Sequence, residues 1–236
     1  GVSAPSRADV RPIDADMAAL GNIKPSIEPR ATDHIPQMIK IIEKLIADGH
    51  AYEEQNHVCF NVPSMPDYGR LARLNRDELI AGARVDIAPY KKDAADFVLW
   101  KPSDDDQPGW DSPWGRGRPG WHIECTAMSM DHLGDQFDLH CGGEDLRFPH
   151  HEAEIFQGEC HSGISPIVTH WLHNGFVNID GEKMGKSVGN FWSIDEILTK
   201  FDPLVLRLAL VNAQYRSPID MNEQLLGDAQ KNYQRI

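Results

Sequence analysis

The chain has 236 residues, 41% of them apolar, and a net charge of −13 at pH 7, enough for one large folded domain or two smaller ones. No run of about 18 apolar residues occurs, so no segment is expected to span a membrane. The acidic balance argues against broad, sequence-independent nucleic-acid binding, because a phosphate backbone rewards surplus Lys and Arg, and leaves room only for a local basic track.

Residues 1–24 read as an irregular linker or a severed edge, with DADMAALG able to form a short helix ended by Gly21. The polar start GVSAPSRADVRP has no apolar signal core. From Thr32, the spacing of Ile35, Met38, Ile39, Ile42, Leu45 and Ile46 predicts a helix that buries one face and stops at Gly49. AYEEQNHVCFNVPS reads as a hairpin, with Val58, Phe60 and Val62 alternating after the turn. RDELIAGAR is expected to be a short helix and DFVLWKPS a strand. KPSDDDQPGWDSPWGRGRP, dense in Pro, Gly and Asp, reads as a long loop of the kind that is usually functional or disordered, with Asp104, Asp105 and Asp106 solvated.

After that loop the pattern alternates. IECTAMSMDHLG is helical, FDLHCGG is a strand entering a glycine turn, and HHEAEIFQGECHSG is a helix. VTHWLHNGFVNID supplies one or two strands, GEKMGKSVGN is a loop, and the remainder is mostly helical. The four cysteines, Cys59, Cys125, Cys141 and Cys160, are too scattered for a disulfide framework and suit a reducing, cytoplasmic setting.

Three stretches carry chemistry. In RPGWHIECTAMSMDHLGDQFDLHCGGEDLRFPHHEAE, thiolate, imidazole and carboxylate are the zinc ligand types. If the segment after Pro149 is helical, His150 and Glu154 sit at i and i+4 on one face, and Cys125 completes three sides of a tetrahedron with one position open. The plainer reading is a buried thiol, a helix-start His and an exposed Glu. HHEAE has no second His at the spacing of a zinc-peptidase HExxH helix. In LHCGGED, Gly142 and Gly143 would let backbone approach a nucleotide and Asp145 could accept from ribose hydroxyls; a plain turn is the alternative. In GEKMGKSVGN, Lys183 and Lys186 stand three apart on a loop bounded by Gly181 and Gly189. Mobile ammonium groups there could follow charge developing on a phosphoryl group or pyrophosphate, although paired lysines are more often a solvated surface.

Together, PSIEPRATDHIP, YGRLARLN, DFVLWK, WDSPWGRGRPGWHIECTAMS, DLRFPHHEAEI and HNGFVNIDGEKMGKSVGNF resemble the cysteinyl-tRNA synthetases, class I aminoacyl-tRNA synthetases, from about Lys24 onward. The resemblance implies an α/β fold: part of a Rossmann-like class I nucleotide-binding domain with a small α+β insertion and a helical C-terminal segment. It divides the chain into residues 1–50, a linker and helix from the end of the first half of the nucleotide-binding domain; 51–117, the connective insertion; 118–200, the second catalytic half; and 201–236, the start of a helical tRNA-contact domain. It implies a zinc ion bound by Cys125, His150 and Glu154 and by a second Cys that no cysteine here matches. It also implies a cysteine pocket lined by Trp121, an adenylate near His140, Gly142, Gly143 and Asp145, and a KMSKS-like loop at residues 183–187 with Lys183 and Lys186 as catalytic cations. Two departures stand out: Gly185 where the loop's serine is usual, and Cys141 where glycine is common.

The chemistry implied is activation of L-cysteine by ATP, with Mg2+, to cysteinyl-adenylate, then transfer to tRNA(Cys), in a cytoplasmic protein expected to be a monomer. Zinc would select a soft thiolate over serine's hydroxyl. The HIGH-type string HxGH, which the family places in its N-terminal half, occurs nowhere in the 236 residues, so this chain by itself is expected to be inactive. Two alternatives share these residues: an ATP-dependent cysteine ligase with an amino-sugar acceptor, and a non-catalytic zinc-binding paralogue.

Overall fold

The computed structural model describes residues 7–75, 78, 88–185 and 189–235. The expected helix RDELIAGAR, apart from Glu78, and Lys186 of the lysine pair fall outside them. The described chain forms two compact units, residues 29–140 with 145–171, and residues 7–28 with 141–144 and 172–235. No helix among the described residues is long and apolar enough to cross a membrane.

The chain start departs from the linker expectation, since helix α1 spans Arg7–Ala19. Its polar composition hides this. What anchors it lies just after its last turn, where buried Leu20 joins the core of the second unit. The Arg207 guanidinium donates to the Leu20 and Gly21 carbonyls at 2.9 and 2.6 Å.

In the first unit, α2 (Ile35–Ala47) follows a 3-10 turn, Ala31–Asp33. It buries Ile35, Met38, Ile41, Ile42 and Leu45, a single helical stripe, with Ile39 and Ile46 half-buried at its margin. Gly49 takes φ 83° just beyond its end, the left-handed stop that glycine reaches without steric cost.

Next comes an antiparallel sheet in the order β1 (Ala51–Glu54), β2 (His57–Phe60), β3 (Phe97–Pro102) and β4 (Gly117–Pro119). Gln55 and Asn56, at φ 51° and 59°, make the tight turn whose twist matches its strands. Buried Asp96 ties this sheet together by accepting from the Tyr52 hydroxyl at 2.6 Å, Val62 N–H at 2.9 Å and Asp93 N–H at 3.0 Å.

The expected loop before Pro119 is more ordered than its composition suggests. Gly117–Pro119 pairs with β3, and Trp110 bridges to Gly117. Arg116 donates to the carbonyls of Ser103, Asp104 and Gln107, so guanidinium donors satisfy loop carbonyls that no strand partner meets.

Helices α3 (Trp121–Leu133) and α4 (Glu152–Ser162) complete this unit. Gly120 sets the start of α3: its N–H donates to Leu99 O at 2.8 Å, and a Cβ there would lie 2.0 Å from the Val98 carbonyl oxygen. The core gathers Met38, Ile42, Leu45, Val58, Phe60, Leu99, Trp100, Ile123 and Phe156.

Strands β5 (Phe137–Gly143) and β6 (Val168–Asn174) pair as a two-stranded sheet. The boundary between the units falls inside both strands.

The second unit holds the small sheet β8-β7-β9, with β7 at Val177–Ile179, β8 at Glu182–Lys183 and β9 at Ile219–Asp220. It also holds α5 (Ile194–Leu198), α6 (Pro203–Asn212) and α7 (Glu223–Tyr233). Strand β9, parallel to β7, interrupts a stretch expected to be mostly helical. Its two residues are too few for a period to show.

Candidate metal centre

Cys125 stands on α3, whose inner face, Ile123, Thr126 and Ala127, packs into the core. The Thr126 hydroxyl donates to Gln157 Oε1 at 2.6 Å inside the protein, pinning α3 to α4. His150 lies in a wide turn, Arg147–His151, that precedes α4. The regular helix therefore begins later than the expected HHEAE start, at Glu152. The turn still brings His150 Nε2 to 2.9 Å from Glu154 Oε1.

The ligand atoms of Cys125, His150 and Glu154 all lie within 4.8 Å of one another. His150 and Glu154 are buried, at 3% and 2% exposure, which overturns the plainer reading of an exposed Glu. Glu154 Oε1 has no hydrogen-bond partner despite its burial, because the contact to His150 is short without being aligned. An orphaned buried carboxylate oxygen beside a thiol and an imidazole costs free energy unless a cation meets it. The donor set therefore fits Zn2+.

Burial, with Glu154 and Glu124 nearby, pushes the Cys125 thiol up to about 12, so these surroundings by themselves disfavour a thiolate. A bound divalent cation would reverse that balance.

Aromatic and histidine side chains fill the surroundings. Trp121, 59% exposed, stacks on His150 with ring centroids 4.3 Å apart. His122 Nδ1 is 2.7 Å from His150 Nδ1, and burial together with His150 holds His122 down at about 4. His140 stacks on Trp171 at 4.6 Å and its Nε2 is 3.7 Å from Glu154 Oε2; burial lowers its pKa. His140, His151 and Glu154 form a second convergent trio that shares Glu154.

The other expected residues are dispersed. Gly142 and Gly143 end β5, Asp145 sits exposed in a 3-10 turn, Glu144–Leu146, and Cys141 is exposed. Lys183 pairs with Asn178 one step beyond a two-residue hairpin turn through Asp180 and Gly181, at φ 52° and 80°, and its Nζ lies 4.3 Å over the Phe176 ring. The stretch expected as a plain loop thus begins as strand β8. Asn190 Oδ1 accepts from Gly185 N–H at 2.9 Å.

Two contributors escaped the sequence reading. Glu152, fully buried, accepts from the N–H groups of Gly69, Leu71 and Ala72 at 3.0, 3.2 and 2.9 Å, fixing the YGRLARL segment against α4. Arg70 pairs with Glu159 and, at 2.7 Å, with Asp67. The only available signal was an unusually acidic helix start, which composition assigns to solvent.

The solved structure of Mycobacterium tuberculosis methionyl-tRNA synthetase bound by methionyl-adenylate superimposes on 95% of this chain with a TM-score of 0.67 at 15% identity, covering 55% of that chain. The fold is thus that of a class I aminoacyl-tRNA synthetase catalytic domain. Within that class the assignment narrows, because the family described as tRNA synthetases class I (C) catalytic domain matches residues 4–231. The chain belongs to that family. Similar curated proteins are the cysteine–tRNA ligase of Xanthomonas campestris, 56% identical over 94% of this chain and 48% of its own length, and that of Parvibaculum lavamentivorans, 57% identical over 94% and 47%. The chain spans about half the length of the curated relatives it matches.

Proposed function

We propose that these residues form the amino-acid-selecting part of a cysteine–tRNA ligase, which activates L-cysteine with ATP and passes it to tRNA(Cys). The observation that carries this reading is the convergence of Cys125, His150 and the orphaned Glu154 oxygen within 4.8 Å. Their relatives' names supply the substrate. Cys125, His150 and Glu154 would hold Zn2+, which when bound supplies a soft Lewis acid that favours a thiolate over serine's hydroxyl. The family resemblance adds a second Cys ligand from outside these residues.

This chain's own groups do the rest. Trp121, flat against His150, supplies an apolar wall beside the ligand set. His122 Nδ1 meets His150 Nδ1; with His150 Nδ1 as the donor and His122 as the acceptor, Nε2 of His150 is left as a lone pair facing Glu154 and the metal. His140, Gly142, Gly143 and Asp145 are the residues we assign to the adenylate, and Lys183 and Lys186 to the phosphates. Residues 51–117 would be the connective insertion and 201–236 the start of the tRNA-contacting helices. ATP chemistry also needs an HxGH-type segment, a string these 236 residues do not contain.

The test is zinc content together with cysteine-dependent ATP–pyrophosphate exchange in the protein that joins these residues to an HxGH-bearing segment. Cys125→Ala and His150→Ala should each lose zinc, and discrimination against serine, about 10⁴-fold for a site demanding a polar partner, should collapse. His140→Ala should keep zinc. Unchanged zinc stoichiometry in both the Cys125 and His150 variants would defeat the proposal, and loss in His140→Ala alone would move the metal to the His140–His151–Glu154 trio.

A further inference from the structure

A second group of metal-ligating side chains lies away from the site just described. His34, at the start of α2, is 6% exposed. Its Nδ1 is 2.7 Å from Arg30 O. A carbonyl oxygen only accepts, so Nδ1 carries the hydrogen, and in the neutral ring Nε2 is a bare lone pair. That lone pair faces the end of α3. His132 Nε2 is 3.0 Å away and Asp131 Oδ2 is 3.4 Å away, and the three ligand atoms fall within 4.8 Å of one another.

We propose that His34, Asp131 and His132 form a second metal site, selective for a borderline divalent transition ion such as Zn2+ or Co2+. Ligands about 2.0–2.1 Å from a tetrahedral ion stand roughly 3.3 Å apart, close to the 3.0 and 3.4 Å observed here. Two imidazoles and one carboxylate are a zinc-type set and a poor one for Mg2+ or Ca2+, which prefer all-oxygen cages. The Arg30 carbonyl plays the orienting role that metal-bound histidines require, holding the His34 ring with its free nitrogen outward. Asp131 and His132 are exposed, so an ion reaches the site from solvent without any opening of the core. Water would complete the coordination. The ion would clamp the start of α2 to the last turn of α3. Cys125 lies seven residues before His132 on the same helix, about 10 Å along its axis, so the two sites are separate.

Co2+ and Zn2+ binding to the purified protein tests this. Cys125→Ala removes the thiolate site and its sulfur-to-cobalt charge-transfer absorption. One equivalent of Co2+ should still bind that variant, with d–d bands but no charge transfer, and Zn2+ should raise its Tm. Adding His132→Ala should abolish that equivalent and the Tm shift, and His132→Ala in the otherwise unchanged protein should remove one equivalent while keeping the charge-transfer band. The proposal is overturned if Cys125→Ala binds no Co2+, or if the remaining equivalent survives both His132→Ala and Asp131→Ala. In either case the contact is an ordinary hydrogen bond from His132 to His34. Failure of the Cys125 site would read differently, as absent charge transfer in the unaltered protein.

Discussion

Glu152 offers the clearest quantitative test of how the candidate site is supported. Replacing it by Ala strips the acceptor from three N–H groups, those of Gly69, Leu71 and Ala72, of which Gly69 N–H is buried and the other two are partly so. A buried donor left alone costs about 1–3 kcal/mol, and those that water can reach cost less. The carboxylate's own burial offsets part of its value, since desolvation raises its pKa in spite of the three bonds. The net expected loss for Glu152→Ala is about 3 kcal/mol, and for Glu152→Gln, which keeps one acceptor oxygen, about half that. Urea unfolding followed by tryptophan fluorescence reads the global loss. Limited trypsin digestion reads the local one, because Arg70 and Arg73 lie in the released segment. Cleavage there should accelerate about 100-fold, the factor equivalent to ~3 kcal/mol of easier opening. An Ala variant that matches the parent in urea midpoint and is cut at Arg70 and Arg73 at the parent's rate would refute the assignment of Glu152 as an internal anchor.

Other consequences can be checked as directly. Burial lifts the Cys59 thiol to about 11 and the Cys160 thiol to about 12, so at pH 8 neither should be alkylated by iodoacetamide in the folded protein. Exposed Cys141 should be modified first, as peptide mass mapping would reveal; equal rates at all three would contradict the described burial. The same elevation makes Cys59 bind its proton more tightly folded than unfolded. Its contribution to stability is full below about pH 9 and fades as pH rises through about 11, a loss of roughly 2–3 kcal/mol that urea titrations at pH 8 and 11 would register. Asp96→Ala should cost about 2–4 kcal/mol by orphaning the Val62 and Asp93 N–H groups and the Tyr52 hydroxyl, and Asp96→Asn less.

What could be read from the sequence follows the physics of each element. The α2 stripe was legible because five apolar side chains at helical spacing bury one face, and the Gln55–Asn56 hairpin because alternation and turn residues agree. The metal trio was legible as ligand types, since chemistry needs particular atoms, and its closure depends on a turn, Arg147–His151, that no periodicity announces. Helix α4 shows why the rest was hidden. Glu152, Gln157 and Glu159 are all buried, held there by backbone donors, by Thr126 and by Arg70, all distant in sequence, and Glu154 is buried beside them. A polar string carries no mark of such partners. His34 and His132, 98 positions apart, likewise become a pair only in three dimensions.

Gly120 bears on the metal centre in a way that reaches past its own backbone. Helix α3 leaves the sheet one residue later, and five residues later it delivers the Cys125 sulfur. Because a Cβ at residue 120 would lie only 2.0 Å from Val98 O, the position admits a hydrogen and nothing larger, and the start of the helix rests directly on the β3 main chain. A methyl group at residue 120 would lift the whole first turn, and a displacement of even about 1 Å is enough to spoil a constellation of reacting groups. The position of the thiol is therefore gauged from the sheet by the lack of a side chain, and substitution at a residue that touches no ligand should register as weakened metal affinity.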